Sequence, residues 1–357
     1  MTQMLKDLEA KYNSEEVYGQ ELPTVAKRAD GNEPLIVHSD DGYDDDNYYG
    51  NTQVGASPQT FTVKFDTGSS TFYVPGPNCP SSQCAGPTKY SQGGIDEHNT
   101  TITHYGDGGS RGGENYLDTV TIGGVTVEKT NVVSMANNHG HAHVAPDSLM
   151  GLGFGKNKGK PNTFFEDAID QGKVHTKEFG FYLGRKVQNT DGNSELTLGG
   201  RDTTKFKGDP ILLPVVNFDH WNVKSDGVVI GGQVVPGTGG VASIDTGTTV
   251  IAVPKAQVAA IYKHIPGATP DRKQKGFYNV PCDGKIPDIG LKLNGHVFNL
   301  AEIDKIYDKE GSTCYGPFYG IGVKNLIAGD SFLKSWYSIY SYDADNGKPA
   351  VLLAESI

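Results

Sequence analysis

The triplet Asp-Thr-Gly occurs twice in this chain, at Asp66-Thr67-Gly68 and at Asp245-Thr246-Gly247, 179 residues apart. Each copy follows a β-forming run, Phe61 to Phe65 in one case and Val241 to Ile244 in the other, and each precedes two small hydroxyl residues. Alone, such a triplet is an ordinary turn at a strand end. Two copies in matched contexts point to a duplicated unit. A second echo supports this: Leu149-Met150-Gly151-Leu152-Gly153 follows the first triplet and Leu326-Ile327-Ala328-Gly329-Asp330 the second. In both, apolar residues lead into a glycine, as where a strand passes tightly against another backbone. Two related lobes would then contribute one carboxylate each. Brought together, two carboxylates share one proton, so that one acts as general base on a water while the other donates to a carbonyl oxygen. That chemistry is amide hydrolysis without a covalent intermediate.

The rest of the chain fits a β fold of this kind. Its 357 residues suffice for two cores, and 47 Gly with 19 Pro favour a turn-rich β protein over a helical bundle. Short alternating or β-branched runs recur at Phe61 to Phe65, Asp118 to Ile122, Val125 to Val127, Glu195 to Leu198, Val228 to Ile230 and Val241 to Ile244. Few helices are expected: Thr163 to Gln171, closed by Gly172, and Lys255 to His264 after Pro254 are the best candidates, and Leu5 to Tyr12 reads as a short helix in the leader. We expect a leader over 1–28, a first lobe over 29–205 and a second over 206–357.

The formal net charge of −11 leaves no basic stripe for phosphate, so nucleic acid and anionic membrane are not expected partners. No apolar run is long enough to span a bilayer. Met1 to Ala10 lacks the apolar core of a secretory signal. Four cysteines allow three pairings; we expect Cys79 with Cys84 in a tight loop and Cys282 with Cys314 in a longer one. A zinc site built from all four thiolates is the rival reading, disfavoured by the wide separation of the second pair. Disulfides and the acceptor Asn99-Thr100-Thr101 fit an oxidising, secretory route, with secretion expected first and the vacuole second. The acidic stretch Asp40 to Asp46 lacks the spacing of a calcium loop and reads as solvated. His139-Gly140-His141-Ala142-His143 reads as a loop of exposed histidines and not a zinc site, and neither metal nor cofactor is expected.

An ordered set of motifs over residues 47 to 355 resembles the pepsin family of aspartic endopeptidases, and its secreted fungal members in particular. Tyr48-Tyr49-Gly50 and Val54 to Gln59 lead into Phe65-Asp66-Thr67-Gly68-Ser69-Ser70, followed by Val74-Pro75. Ile102 to Gly113, with Tyr105-Gly106-Asp107-Gly108, is similar to the β-hairpin flap that closes over substrate. Ser194 to Asp202, Trp221-Asn222-Val223, the second triplet and Ala328 to Leu333 complete the series. The resemblance implies a mainly β, bilobal fold of two β-barrel-like lobes with a cleft between them. It also implies a monomer acting on proteins and peptides and blocked by pepstatin-type inhibitors. Asp66 would donate to the substrate carbonyl and Asp245 would activate water. Tyr105 and Gly106 would cover the substrate.

Within each triplet, glycine lets the backbone approach the carboxylate, so that the amides of Gly68 and Gly247 reach the inner oxygens. Thr67 and Thr246 would cross-link the two loops through their hydroxyls, and Ser69 and Thr248 can donate to the outer oxygens. Three departures bear on specificity. Tyr73 stands where the family usually carries the Trp that bonds the flap Tyr. Lys64, two residues before Asp66, shares its strand face, where pepsin is aliphatic. Asp107 occupies a flap position at which fungal relatives accept a basic residue, and we expect Lys64 to face it across the pocket.

Lys11-Tyr12 resembles the pair that blocks the dyad in pepsin-type zymogens, the Lys11 ammonium locking both carboxylates ionised until acid releases it. Lys27-Arg28 reads as the processing site, with Ala29 as the mature amino terminus. A catalytically silent binding protein of the same fold is the alternative function. Such proteins lose a triplet or flap residue, and this chain keeps both triplets and Tyr105.

Overall fold

Alternation decides the strand that carries the first triplet. Gln59–Asp66 buries Phe61, Val63 and Phe65 while Thr60 and Thr62 point outward, the period of a half-buried strand. A computed structural model describes residues 29–38, 45, 47–84, 86, 88–104, 109–139, 148–156, 159–283 and 285–357. Among these the protein is mainly β, with sheets of fourteen, eight and four strands.

Gln59–Asp66 runs parallel to Ser148–Gly151, which pairs antiparallel with Phe72–Pro75, which runs parallel to Val125–His139. In the second half, Gly240–Ile244 runs parallel to Leu326–Ala328, which pairs antiparallel with Ile251–Pro254, which runs parallel to Phe318–Ile321. The same four-strand order, with the same alternation of directions, is therefore built twice. The glycines of the sequence echo sit where this motif is tightest. A methyl group on Gly151 would lie 2.5 Å from the backbone of Ser70, and one on Gly329 would overlap the carbonyl of Thr248.

A six-strand stretch joins the halves, in the order Gly31–Pro34, Glu195–Leu198, Glu178–Tyr182, Trp336–Asp345, Lys348–Ser356 and Phe206–Asn217. The beginning, middle and end of the described chain interleave there. Under it, Trp221 is fully buried against Phe154 and Tyr340 and donates from Nε1 to the carbonyl of Leu152 at 2.9 Å. The helix Phe164–Asp170 begins at a capping box: Thr163 Oγ1 accepts from Glu166 N at 3.3 Å and Glu166 Oε2 accepts from Thr163 N at 2.8 Å. The helix Lys255–Tyr262 follows Pro254 and buries Val258, Ile261 and Tyr262. Both helices lie where periodicity put them. Several strands extend beyond their apolar runs, and Val125–His139 is the clearest case.

Cys79 bonds Cys84 and Cys282 bonds Cys314, which leaves no thiolates for zinc. Because the second bond closes a loop 32 residues long, its removal in Cys282→Ser/Cys314→Ser is expected to cost about 4 kcal/mol, read as a lower urea midpoint. An unchanged midpoint would mean that the denatured chain gains no freedom from the loss. One sequence expectation is corrected. Asp45 is not solvated: it is buried and accepts from the backbone N–H of Lys186 at 3.2 Å, and burial raises its pKa against the opposing pull of Lys334. Asp40, Asp41, Asp44 and Asp46 lie outside the described residues, as do the leader, the Lys27-Arg28 pair and 140–143 of the histidine segment.

Candidate active site

The two triplets meet at the ends of their strands. Leu152 N donates to the carbonyl of Asp66 at 2.7 Å and Asp245 N donates to the carbonyl of Ala328 at 3.0 Å, so each aspartate is anchored to the neighbouring parallel strand. The threonines then join the halves reciprocally. Thr67 Oγ1 donates to the carbonyl of Ile244 at 2.9 Å and accepts from Thr246 N at 3.0 Å. Thr246 Oγ1 donates to the carbonyl of Phe65 at 2.8 Å and accepts from Thr67 N at 3.2 Å. All four bonds are buried, where leaving either partner unpaired costs the desolvation of that group.

Around each carboxylate the donors are the same. Asp66 Oδ1 accepts from Gly68 N at 2.8 Å and Oδ2 from Ser69 Oγ at 2.5 Å. Asp245 Oδ1 accepts from Gly247 N at 2.8 Å and Oδ2 from Thr248 Oγ1 at 2.9 Å. The glycines also set how close the halves come. A methyl group on Gly68 would lie 2.5 Å from Oδ2 of Asp245, and one on Gly247 would overlap Asp66. Burial, and next the negative charge of Asp245, push the carboxyl of Asp66 up to about 7, while the bonds from Ser69 and Gly68 pull the other way. Between the ordinary carboxylate value of 3.8 and about 7, such a pair holds one proton where isolated carboxyls would be ionised.

A sequence model of the family described as "Eukaryotic aspartyl protease" matches residues 47–354. The chain belongs to this family. It is an aspartic-type endopeptidase of the pepsin-like kind. Vacuolar protease A of Aspergillus fumigatus is 32% identical over 327 residues, covering 87% of this chain and 79% of that protein. Cathepsin E of Aquarana catesbeiana is 30% identical over 327 residues, covering 86% and 79%. An aspartic protease of Phaffia rhodozyma is 31% identical over 315 residues, covering 84% and 74%.

In this aspartic peptidase the hairpin of Ile95–His104 and Ser110–Ile122 carries the segment that resembles a flap. Tyr105, Gly106 and Asp107 lie outside the described residues. Tyr73 is fully buried, and its hydroxyl donates to Thr103 Oγ1 at 2.7 Å, so this shorter substitute for Trp binds the stem of the hairpin. Lys64 is half-buried and donates from Nζ to Asn47 Oδ1 at 2.8 Å. Asn99 is exposed on the Ile95–His104 strand, and its Oδ1 accepts from Asn115 Nδ2. His139 ends Val125–His139 exposed, beside Gln83. Sequence reasoning missed Asn47, Thr103 and Arg111, since nothing local marks a partner that sheet register alone supplies. No helix among the described residues is long and apolar enough to cross a membrane.

The buried carboxyls give the peptidase a pH signature. Burial raises the pKa of Glu33, Asp45 and Glu195, and brings Asp167 to about 6. A carboxyl whose folded pKa exceeds its unfolded value binds its proton more tightly when folded. Stability is then lost as pH rises between the two values. For Asp66 that window runs from 3.8 to about 7. The midpoint of thermal unfolding is expected to be higher at pH ~4 than at pH ~7. A midpoint that rises toward neutrality would show that the lowered carboxyls, such as Asp202, dominate.

Proposed function

We propose that the peptidase hydrolyses peptide bonds of proteins in acid by a water held between Asp66 and Asp245. The reciprocal seating of the triplets carries this reading, because it presents two hydrogen-bonded carboxylates side by side with one proton to share. The ionised member, by family resemblance Asp245, takes a proton from water as the oxygen attacks the carbonyl carbon. The protonated member, Asp66, donates to the carbonyl oxygen. Collapse of the tetrahedral species then passes a proton to the departing amine and restores the pair. Gly68, Ser69, Gly247 and Thr248 hold the charge, and Thr67 and Thr246 hold the geometry.

The resemblance and the duplicated strand order support two barrel-like lobes, 29–205 and 206–357, with the cleft between them. Tyr105, Gly106, Asp107, Tyr73 and Lys64 would shape the substrate pocket. Lys11 and Tyr12 would block the dyad in a zymogen until the chain is cut after Lys27-Arg28. The acceptor sequence at Asn99, two disulfides and relatives named as vacuolar proteases support a secretory-pathway protein, secreted or vacuolar, and the resemblance a monomer.

The test is hydrolysis of denatured protein and of a fluorogenic peptide across pH. Cleavage is expected below about pH 7, to fall as the shared proton is lost near the raised pKa of Asp66, and to be blocked by pepstatin. A rate that climbs through pH ~8, or no cleavage at any acidic pH after leader removal, excludes this mechanism.

A further inference from the structure

One rung of the hairpin sheet runs across three strands. Thr103, Arg111 and Asn138 stand directly opposite one another in register, and each is gripped by a neighbour. The Tyr73 hydroxyl donates to Thr103 Oγ1 at 2.7 Å and lies 3.4 Å from the carbonyl oxygen of Arg111, its alternative acceptor. Arg111 is buried, and its Nε donates to Asn138 Oδ1 at 3.2 Å. Asn138 Nδ2 donates to the carbonyl of Gln83 at 3.0 Å, and Asn138 N donates to Gln83 Oε1 at 3.0 Å.

Gln83 belongs to the small ring closed by Cys79 and Cys84. The ring is stiff, because the amides of Gln83 and Cys84 both donate to the carbonyl of Pro80, at 2.8 and 2.9 Å. Its sulfurs pack with Tyr73, Val133 and Met135 in a cluster separate from the main core. The ring therefore holds the rung twice, by packing against Tyr73 and by hydrogen bonds through Asn138 to Arg111. Thr103 and Arg111 lie one pair from His104 and Ser110, the last described pair of the hairpin, so whatever fixes this rung fixes the end of the stem. Burying a guanidinium costs desolvation that an apolar side chain would not, which argues for a task beyond filling space.

We propose that Arg111 is a positioning residue for peptide hydrolysis. With Asn138 and the Cys79–Cys84 ring it fixes the height of the hairpin stem that carries the proposed flap. The inference rests on reading the hairpin as the flap of the proposed function.

The test measures kcat, KM and the unfolding midpoint on one fluorogenic peptide at acid pH. The proteins compared are the wild type, Arg111→Met, Arg111→Lys, Gln83→Ala and Cys79→Ser/Cys84→Ser. Arg111→Met is expected to lower kcat/KM by about tenfold or more, the effect of one hydrogen bond to a charged group, mainly through KM. Arg111→Lys recovers part of the loss, and Gln83→Ala shifts KM in the same direction. Joining Arg111→Met to the disulfide variant costs less than the product of the two, because both break one relay. The proposal is overturned if Arg111→Met lowers the midpoint yet leaves KM unchanged, or if the combined losses multiply. Should Arg111→Met fail to fold, Gln83→Ala and the disulfide variant decide, and an unchanged KM in both overturns it. A wild type that cleaves nothing overturns the proposed function and this inference together. A wild type that cleaves, with every variant its equal, overturns this inference alone.

Discussion

Asp245→Asn is expected to lower kcat/KM by at least about 10³-fold while leaving the protein folded. Asparagine keeps an oxygen for the amide of Gly247, and its amide group can donate to the Thr248 hydroxyl, which rotates to accept. The loop therefore retains its bonds. What disappears is the second acid–base group and with it the shared proton. The same substitution removes the charge that, after burial, raises the carboxyl of Asp66, so its pKa falls and the protein is expected to unfold at a higher temperature at pH ~7 than the wild type does. Cleavage assays and thermal unfolding on the same preparations separate the two effects. A variant that keeps a tenth of wild-type activity would sink the dyad mechanism.

Gly68→Ala is the second large effect. The new methyl group would sit 2.5 Å from Oδ2 of Asp245, inside van der Waals contact, and the threonine bonds leave the loops no free direction in which to part. Displacing a reacting group by about 1 Å costs on the order of 10²-fold in rate, and that is the expected loss in kcat. The effect crosses between the halves, so Gly247→Ala, which crowds Asp66, is expected to match it. Unfolding midpoints should fall as well, by the cost of overpacking a buried contact. Near-normal kcat in either variant would show that the carboxylates tolerate a wider spacing than the wild-type contact allows.

The parts of this site that are legible in sequence are those fixed within a few residues. Gly68, Ser69, Gly247 and Thr248 serve their own aspartates across two or three positions, so the triplets and their hydroxyls announced the carboxylate environment. The helix starting after Thr163 was legible for the same reason, as its capping box spans three residues. Tyr73 could be singled out as a departure, yet its partner could not be foreseen. Thr103 lies 30 residues away and is brought there by sheet register. Asp45 was misread because a run of acids looks solvated, whereas Asp45 is enclosed beside Lys186, 141 residues on. Arg111 gave no signal, since its neighbours are mostly glycine and serine and its partner Asn138 lies on the next strand.

The six-strand stretch that interleaves the chain has a consequence for biosynthesis. Lys348–Ser356 lies between Trp336–Asp345 and Phe206–Asn217, so a strand made after both closes the seam between early and late segments. Pairings over such distances form late, because the entropy of closing the intervening chain precedes any gain from contact. A nascent chain in which Lys348–Ser356 has not yet emerged would present two unpaired edges, each a template for aggregation. Closure of this stretch should therefore wait until Lys348–Ser356 has emerged.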